Sequence, residues 1–273
     1  MHFVRYYEGE DMCINGREES GMAMAERREL IVDLINNEGS VTFAQLKRAF
    51  PDVSEMTLRT DLKALDKNRQ IIRVHGGAKS VGFAVGTDDL LARRVSRRSA
   101  EKTVIAQKAT GLIRAGHTIF IDSGSTTTAL AAAMEDMNLL VFTNSLTVAS
   151  ELARLEHVMA FMVGGRLNRY SMSTMGARAI EAVRSMTFDQ VFLGVTGYRR
   201  GEGFSCGSDD EAVFKQTLLE RSNERIVLMD SSKEGRPSTF KIGDLRDIDT
   251  VVSDDGLSAD FVAACEDKDV SVL

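Results

Sequence analysis

The chain has 273 residues, of which 43% are hydrophobic and 27% charged, with a formal net charge of −6. That is the composition of a soluble globular protein long enough for two domains. No apolar run approaches the roughly 18 residues needed to span a membrane, and residues 1–24 lack the apolar core of a signal peptide, so neither a membrane-spanning helix nor export is expected, and a cytoplasmic location is. Three cysteines, Cys13, Cys206 and Cys265, lie far apart without a partnering histidine. They support neither a disulfide framework nor a zinc site, and no metal or cofactor is expected. The charge is uneven: residues 22–98 hold 14 Lys/Arg against 10 Asp/Glu (+4), and residues 99–273 hold 18 against 25 (−7). A basic N-terminal module on an acidic body is the asymmetry of a nucleic-acid binder.

Residues 1–21 show no periodicity and read as a poorly ordered extension, with Met22 or Met24 as an alternative translation start. From residue 25 to 37, Leu30, Ile31, Leu34 and Ile35 fall at helical spacing. Thr42 and Gln45 form a capping box for a second helix, whose buried stripe is Phe43, Leu46 and Phe50 before Pro51 stops it. Ser54 caps a third helix with Leu58, Leu62 and Leu65 facing inward; Met56, Arg59, Thr60, Lys63 and Lys67 lie opposite. Two short helices across a tight turn, the second presenting cations and small polar groups, make a helix-turn-helix suited to phosphates and base edges. A three-helix bundle exposing a solvated charged face fits the same pattern. The next stretch favours DNA binding: residues 71–79, Ile-Ile-Arg-Val-His-Gly-Gly-Ala-Lys, read as a strand, a glycine turn and a basic return, the wing of a winged helix.

Thr57-Leu58-Arg59-Thr60-Asp61-Leu62, followed by Arg73-Val74-His75-Gly76-Gly77-Ala78, resembles the signature of the DeoR family of bacterial transcription regulators. The residues expected to contact DNA are Ser54, Met56, Thr57, Arg59, Thr60, Lys63, Arg73, His75 and Lys79. The family's usual helix carries two consecutive arginines where this chain has Arg59 and then Thr60. The departure removes one potential phosphate or guanine contact, worth about 1–3 kcal/mol where it is bidentate to a base, and leaves the operator sequence open while the activity stands. His75 reads equally as a DNA contact or as a residue holding the wing's turn.

Residues 80–98 have the character of a linker, with Gly82, Gly86, Thr87-Asp88-Asp89 and the basic pairs Arg93-Arg94 and Arg97-Arg98. Those arginines fit a DNA contact, a solvated helix start or an interdomain contact. From Glu101 onward helix and strand alternate, implying a mostly parallel sheet covered by helices. The opening unit is Thr118-Ile119-Phe120-Ile121 as a strand, Asp122-Ser123-Gly124-Ser125-Thr126-Thr127-Thr128 as a loop, and an Ala/Leu-rich helix. Free backbone N–H groups, the helix dipole and a hydroxyl-rich loop suit a phosphate, although a capped helix start explains the same residues. Later strands are expected at 139–143, 158–163, 190–194, 225–230, 250–253 and 270–273. Thr143-Asn144-Ser145, Gly164-Gly165-Arg166, Gly194 to Gly197 and Asp230-Ser231-Ser232-Lys233 follow four of them, where ligands bind in open α/β sheets.

This half too resembles the DeoR family, whose sensor domain is similar to ribose phosphate isomerases and responds to phosphorylated sugars. The resemblance implies a Rossmann-like α/β domain in which Ser123, Gly124, Ser125, Thr126 and Thr127 cradle the phosphate. Asp122, Asn144, Gly165, Glu211 and Lys233 complete the effector site, with Lys233 reading either as a phosphate cation or as a solvated lysine. The rival class is a sugar-phosphate isomerase with Glu211 as base. Where those isomerases carry acidic residues this chain has Val195-Thr196-Gly197-Tyr198-Arg199-Arg200, so binding without turnover, and no catalytic residue, is expected. The expected organisation is an extension at 1–21, a winged helix-turn-helix at 22–79, a linker at 80–98 and an effector-sensing domain at 99–273. Its expected partners are double-stranded operator DNA and a phosphorylated sugar. A homodimer or homotetramer is expected from the way such modules bind repeated half-sites.

Overall fold

The computed structural model describes residues 24–38, 40–74, 76–80 and 91–273. Its internal contacts divide the chain into two compact units between residues 85 and 86. The extension at 1–21, His75 and most of the expected linker lie outside the described residues.

The first unit runs α1 (Met24–Glu38), β1 (Ser40–Thr42), α2 (Phe43–Ala49), α3 (Glu55–Lys67), β2 (Ile71–Val74) and β3 (Gly77–Ser80). Thr42 caps α2 in the expected capping box with Gln45, and the Ser54 hydroxyl accepts from the Thr57 N–H at the start of α3. Ile31 and Ile35 of α1 meet Leu46, Phe50, Leu58, Leu62 and Leu65 in one core, while Leu30 turns outward at 38% exposure. β2 and β3 form the expected hairpin. An element the periodicity did not give is β1, which pairs antiparallel with β3 and makes the sheet three-stranded in the order β1-β3-β2. A Cβ at Gly77 would lie 2.1 Å from the Val41 carbonyl oxygen, so the close approach of β3 to β1 requires glycine there.

The second unit contains α4 (Leu91–Ser96), α5 (Ser99–Thr110), β4 (Thr118–Ile121), α6 (Ser125–Ala133), β5 (Leu139–Thr143), α7 (Leu146–Leu152) and β6 (Val158–Met162). It continues through β7 (Arg166–Asn168), β8 (Ser173–Met175), α8 (Ala177–Arg184), β9 (Phe188–Gly194), β10 (Gly197–Arg199), β11 (Gly203–Cys206) and α9 (Asp209–Glu220). The last elements are β12 (Ser222–Leu228), β13 (Phe240–Gly243), β14 (Thr250–Val252), α10 (Ala259–Glu266) and β15 (Ser271–Val272). Seven strands form one parallel sheet in the order β15-β14-β12-β9-β4-β5-β6.

Alternating residues of these strands face two separate cores. Ile119, Ile121 and Val141 pack with α5, α6 and α7; Phe120, Val191 and Val227 pack with α8, α9 and α10. The chain steps from β4 to β5 and β6 in one direction, then returns to β9 on the other side of β4 and continues to β15. The strand order therefore reverses between β4 and β9, the switch point where doubly wound sheets bind ligands beyond the strand ends. The hairpins β7–β8 and β10–β11 and the strand β13 are additional to the expected elements. Gly197, expected in a ligand loop, instead opens β10 in the antiparallel sheet β10-β11-β13.

Candidate functional site

In the first unit α3 presents its polar face to solvent. Met56 is 77% exposed, and Arg59, Thr60 and Lys63 are exposed beside it. The face is partly ordered by its own contacts. Arg59 Nη2 lies 3.2 Å from Glu55 Oε2, and its guanidinium sits 4.8 Å from the centre of the Phe43 ring. Ser54 and Thr57 share a 2.8 Å hydroxyl contact, and Thr60 donates back to the Met56 carbonyl at 2.8 Å. On the wing Arg73 is exposed, its N–H held by Asp66 Oδ1 at 3.0 Å, while Lys79 is half-buried. The Phe43 N–H donates to the Gly76 carbonyl at 2.7 Å, tying the start of α2 to the wing's turn.

Asp61 has a place that sequence reasoning missed. It is buried on the inner face of α3, and its two oxygens each lie 2.7 Å from a guanidinium, Arg27 and Arg28 of α1. The recognition helix is thus clamped to α1 by a buried carboxylate between two cations. Its position between Leu58 and Leu62 on the apolar stripe was the available signal.

In the second unit the carboxyl end of β4 delivers Asp122, fully buried. Oδ2 accepts from the Gly194 N–H at 3.2 Å and faces Lys215 Nζ at 3.0 Å; Oδ1 is buried with no hydrogen-bond partner. Lys215 is buried on α9, 2.7 Å from Glu211 Oε1 one turn earlier and 2.5 Å from the Gly194 carbonyl. Burial disfavours its charge, but the Asp122 and Glu211 carboxylates outweigh burial and raise its pKa well above the ordinary lysine value. Lys215 was absent from the expected set, although it is the group that joins Asp122 to Glu211. The three charges sum to −1 and leave an acceptor pointing nowhere, an arrangement that suits a hydroxyl donor rather than a phosphate.

Next to this triad α6 begins. Gly124 adopts φ +155° as its N-cap, no side chain caps the helix, and the first bond back is from the Thr128 N–H to the Gly124 carbonyl at 2.9 Å. The N–H groups of Ser125, Thr126 and Thr127 precede that bond, as at any helix start, and the dipole there favours an anion. The Thr127 and Thr128 hydroxyls turn inward to the Gly124 carbonyl at 3.0 and 2.7 Å. Thr128 also meets Thr147, which meets Ser145, so the loops after β4 and β5 share one chain of hydroxyls. Asn144 is fully buried, its amide donating to the Thr174 carbonyl at 3.3 Å and its Oδ1 without a partner. Gly165 packs against β8: a Cβ there would lie 2.7 Å from the Met175 carbonyl oxygen.

Lys233 belongs to a second group of charges. It sits on a 3-10 turn, Ser231–Lys233, capped by Asp230, which accepts from the Ser232 N–H. Asp230 lies 3.9 Å from the Arg98 guanidinium. Lys102 of α5 is buried and donates to the carbonyls of Arg94 and Arg97. Burial lowers its pKa to about 8; Asp230 opposes the shift, and Lys233, Arg94 and Arg97 reinforce it. Among the described residues no group of His, Cys, Asp or Glu gathers as metal ligands, and no helix is long and apolar enough to cross a membrane.

A winged helix-turn-helix followed by a doubly wound sheet with a polar site at its switch point defines a DNA-binding regulator carrying its own sensor domain. The family described as the DeoR-like helix-turn-helix domain matches residues 27–82, and the DeoR C terminal sensor domain matches residues 97–255. The chain belongs to the DeoR family of transcription regulators, and is a regulator rather than an enzyme. It is 32% identical to the uncharacterized HTH-type transcriptional regulator YulB of Bacillus subtilis, over 92% of this chain and 96% of that one. It is 33% identical to the putative aga operon transcriptional repressor of Escherichia coli O157:H7, over 91% of this chain and 93% of that one. Among solved structures, the ribose 5-phosphate isomerase A of Methanocaldococcus jannaschii matches 49% of this chain and 53% of its own at 15% identity, with a TM-score of 0.35.

Proposed function

We propose that the protein is a repressor of a sugar-metabolism operon whose grip on operator DNA is set by a phosphorylated sugar bound at the β4–β9 switch point. The supporting observation is the fully buried Asp122 with Oδ1 unsatisfied, beside a helix start that no side chain caps. A buried acceptor without a donor costs about 1–3 kcal/mol, which a sugar hydroxyl would recover. Ser123, Gly124, Ser125, Thr126 and Thr127 hold the phosphate; Asp122, Asn144 and Glu211 face the hydroxyls, with Gly165 shaping the wall and Lys233 adding charge at the rim. Residues 22–79 read DNA through Ser54, Met56, Thr57, Arg59, Thr60, Lys63, Arg73, His75 and Lys79. Residues 80–98 connect them to the sensor at 99–273, and a dimer or tetramer presents paired recognition helices to repeated half-sites. Two relatives carry matching descriptions, the aga operon repressor above and a lactose phosphotransferase system repressor of Staphylococcus epidermidis, 29% identical.

A thermal-shift screen of phosphorylated and unphosphorylated sugars tests the reading. At least one sugar phosphate raises the melting temperature of the wild type, its unphosphorylated form does not, and Ser125→Asp abolishes the shift by placing a carboxylate where the phosphate sits. Equal shifts from both forms of the sugar would remove the phosphate from the account.

A further inference from the structure

The seven-stranded sheet ends on one side in β15, only two residues long, and on the other in β6, which holds register with β5 over five residues. Short edges are a usual protection against unwanted pairing; among the described residues β6 has none of the usual ones. Its sequence, Val158-Met159-Ala160-Phe161-Met162, contains no charge, proline or glycine. Met159 is 62% exposed, Phe161 44% and Met162 45%. Alternation places Met159 and Phe161 on one face and Met162 on the other, so apolar groups are uncovered on both. Phe161 is also continuous with the core: it stacks on Phe142 at 5.0 Å, Phe142 meets Phe188 at 5.6 Å, and Phe188 meets Phe120 at 5.3 Å. Leu167, five residues beyond the strand and 56% exposed, is within chain reach of the same edge. Together the four expose roughly 400 Å² of apolar surface, spread over both faces of the edge.

We propose that the β6 edge is the interface between two copies of this chain, with the two strands pairing antiparallel about a two-fold axis and joining their sheets. A second copy is the occupant that fits. An uncharged strand offers a charged partner nothing to neutralise, whereas its free N–H and C=O row and its two apolar faces are complementary to themselves under two-fold symmetry. Counted on both copies, the side chains supply roughly 800 Å², to which the paired backbone adds, the size of a small, reversible interface. The assignment rests on the oligomeric reading given above and adds the surface that carries it.

Sedimentation velocity on the full chain across a concentration series tests it. The wild type should be a dimer or a multiple of one, and Met159→Lys with Met162→Lys should raise the dissociation constant of the β6 contact at least a hundredfold with the melting temperature nearly unchanged. Val104→Lys, at a comparably exposed apolar position on α5 (37%), should leave assembly intact. Single cysteines placed along positions 158–162 in a Cys13→Ser background give a readout that survives a folding failure of the lysine variant. They should form disulfide-linked dimers at one or two adjacent positions near the two-fold axis. A monomeric wild type would overturn both the oligomeric reading and the β6 assignment. An oligomer that the lysine pair leaves equally tight, or that links at none of the five positions, would overturn the β6 assignment alone.

Discussion

The outward face of α3 and the switch point between β4 and β9 are both polar, but they are built in opposite ways. On α3 the working groups stand in water, held by exposed contacts such as Arg59 to Glu55, and the only buried charge lies behind them in Asp61. At the switch point the charges themselves are buried: Asp122, Glu211 and Lys215 face one another, with one acceptor unused. The contrast matches two kinds of ligand. A long polyanion must be met by accessible cations that slide and re-pair, whereas a small hydroxylated molecule is recognised by fixed groups whose desolvation cost is already met by the fold.

That contrast predicts very different costs of mutation. The largest effect is expected at the sensor triad. Lys215→Met leaves two buried carboxylates without their cation and should cost about 3–5 kcal/mol, read in chemical denaturation of the full chain. A cost below about 1 kcal/mol would show that the site is wetter than its burial indicates. Asp61→Ala comes next. Its two arginines retain some access to water, so about 1.5–3 kcal/mol of the first unit's stability should be lost, visible as an earlier unfolding step for that unit.

These two residues also show what was legible in the sequence and what was not. Thr42 with Gln45, Ser54, the leucine stripe of α3 and the β4–loop–α6 unit could be read because caps, periodicity and turn chemistry are local. Lys102 and Lys215 could not, because a charged residue on a helix reads as solvated until tertiary packing buries it; Asp61 showed its place on the leucine stripe but not the two arginines that pair with it. Glu211 and Lys215 stand four apart, the spacing of an ordinary surface pair. Only the return of β9 beside β4 brings them against Asp122. The short strands β7, β8, β10, β11 and β13 have three or four residues each, too few for alternation to show.

Smaller effects sharpen the comparison further. Arg59→Ala should weaken operator binding by about 1–3 kcal/mol, roughly 5- to 150-fold, since it removes one of the proposed DNA contacts. Its exposed pair with Glu55 adds little to stability, so the melting temperature should stay within a degree or two. A further effect is a pH dependence at Lys102. The unfolded chain keeps that proton to about 10.5 and the folded chain releases it near pH about 8. Between those values the unfolded state binds more protons, so the contribution of Lys102 to stability rises with pH across that window. Lys102→Met should remove the rise, as measured by melting temperatures at pH 7.5, 8.5 and 9.5; an unchanged slope would show that Lys102 keeps its ordinary pKa.

The central claim, that an exposed DNA-reading face answers to a buried sugar-phosphate site, is tested most directly by a mobility shift. The DNA is the region upstream of the protein's own gene, and the wild type is compared with Ser125→Asp, with and without the sugar phosphate found by thermal shift. The account predicts a specific complex for both proteins, weakened by the sugar phosphate only in the wild type. A complex that the sugar phosphate alters equally in both, or in neither, would contradict it.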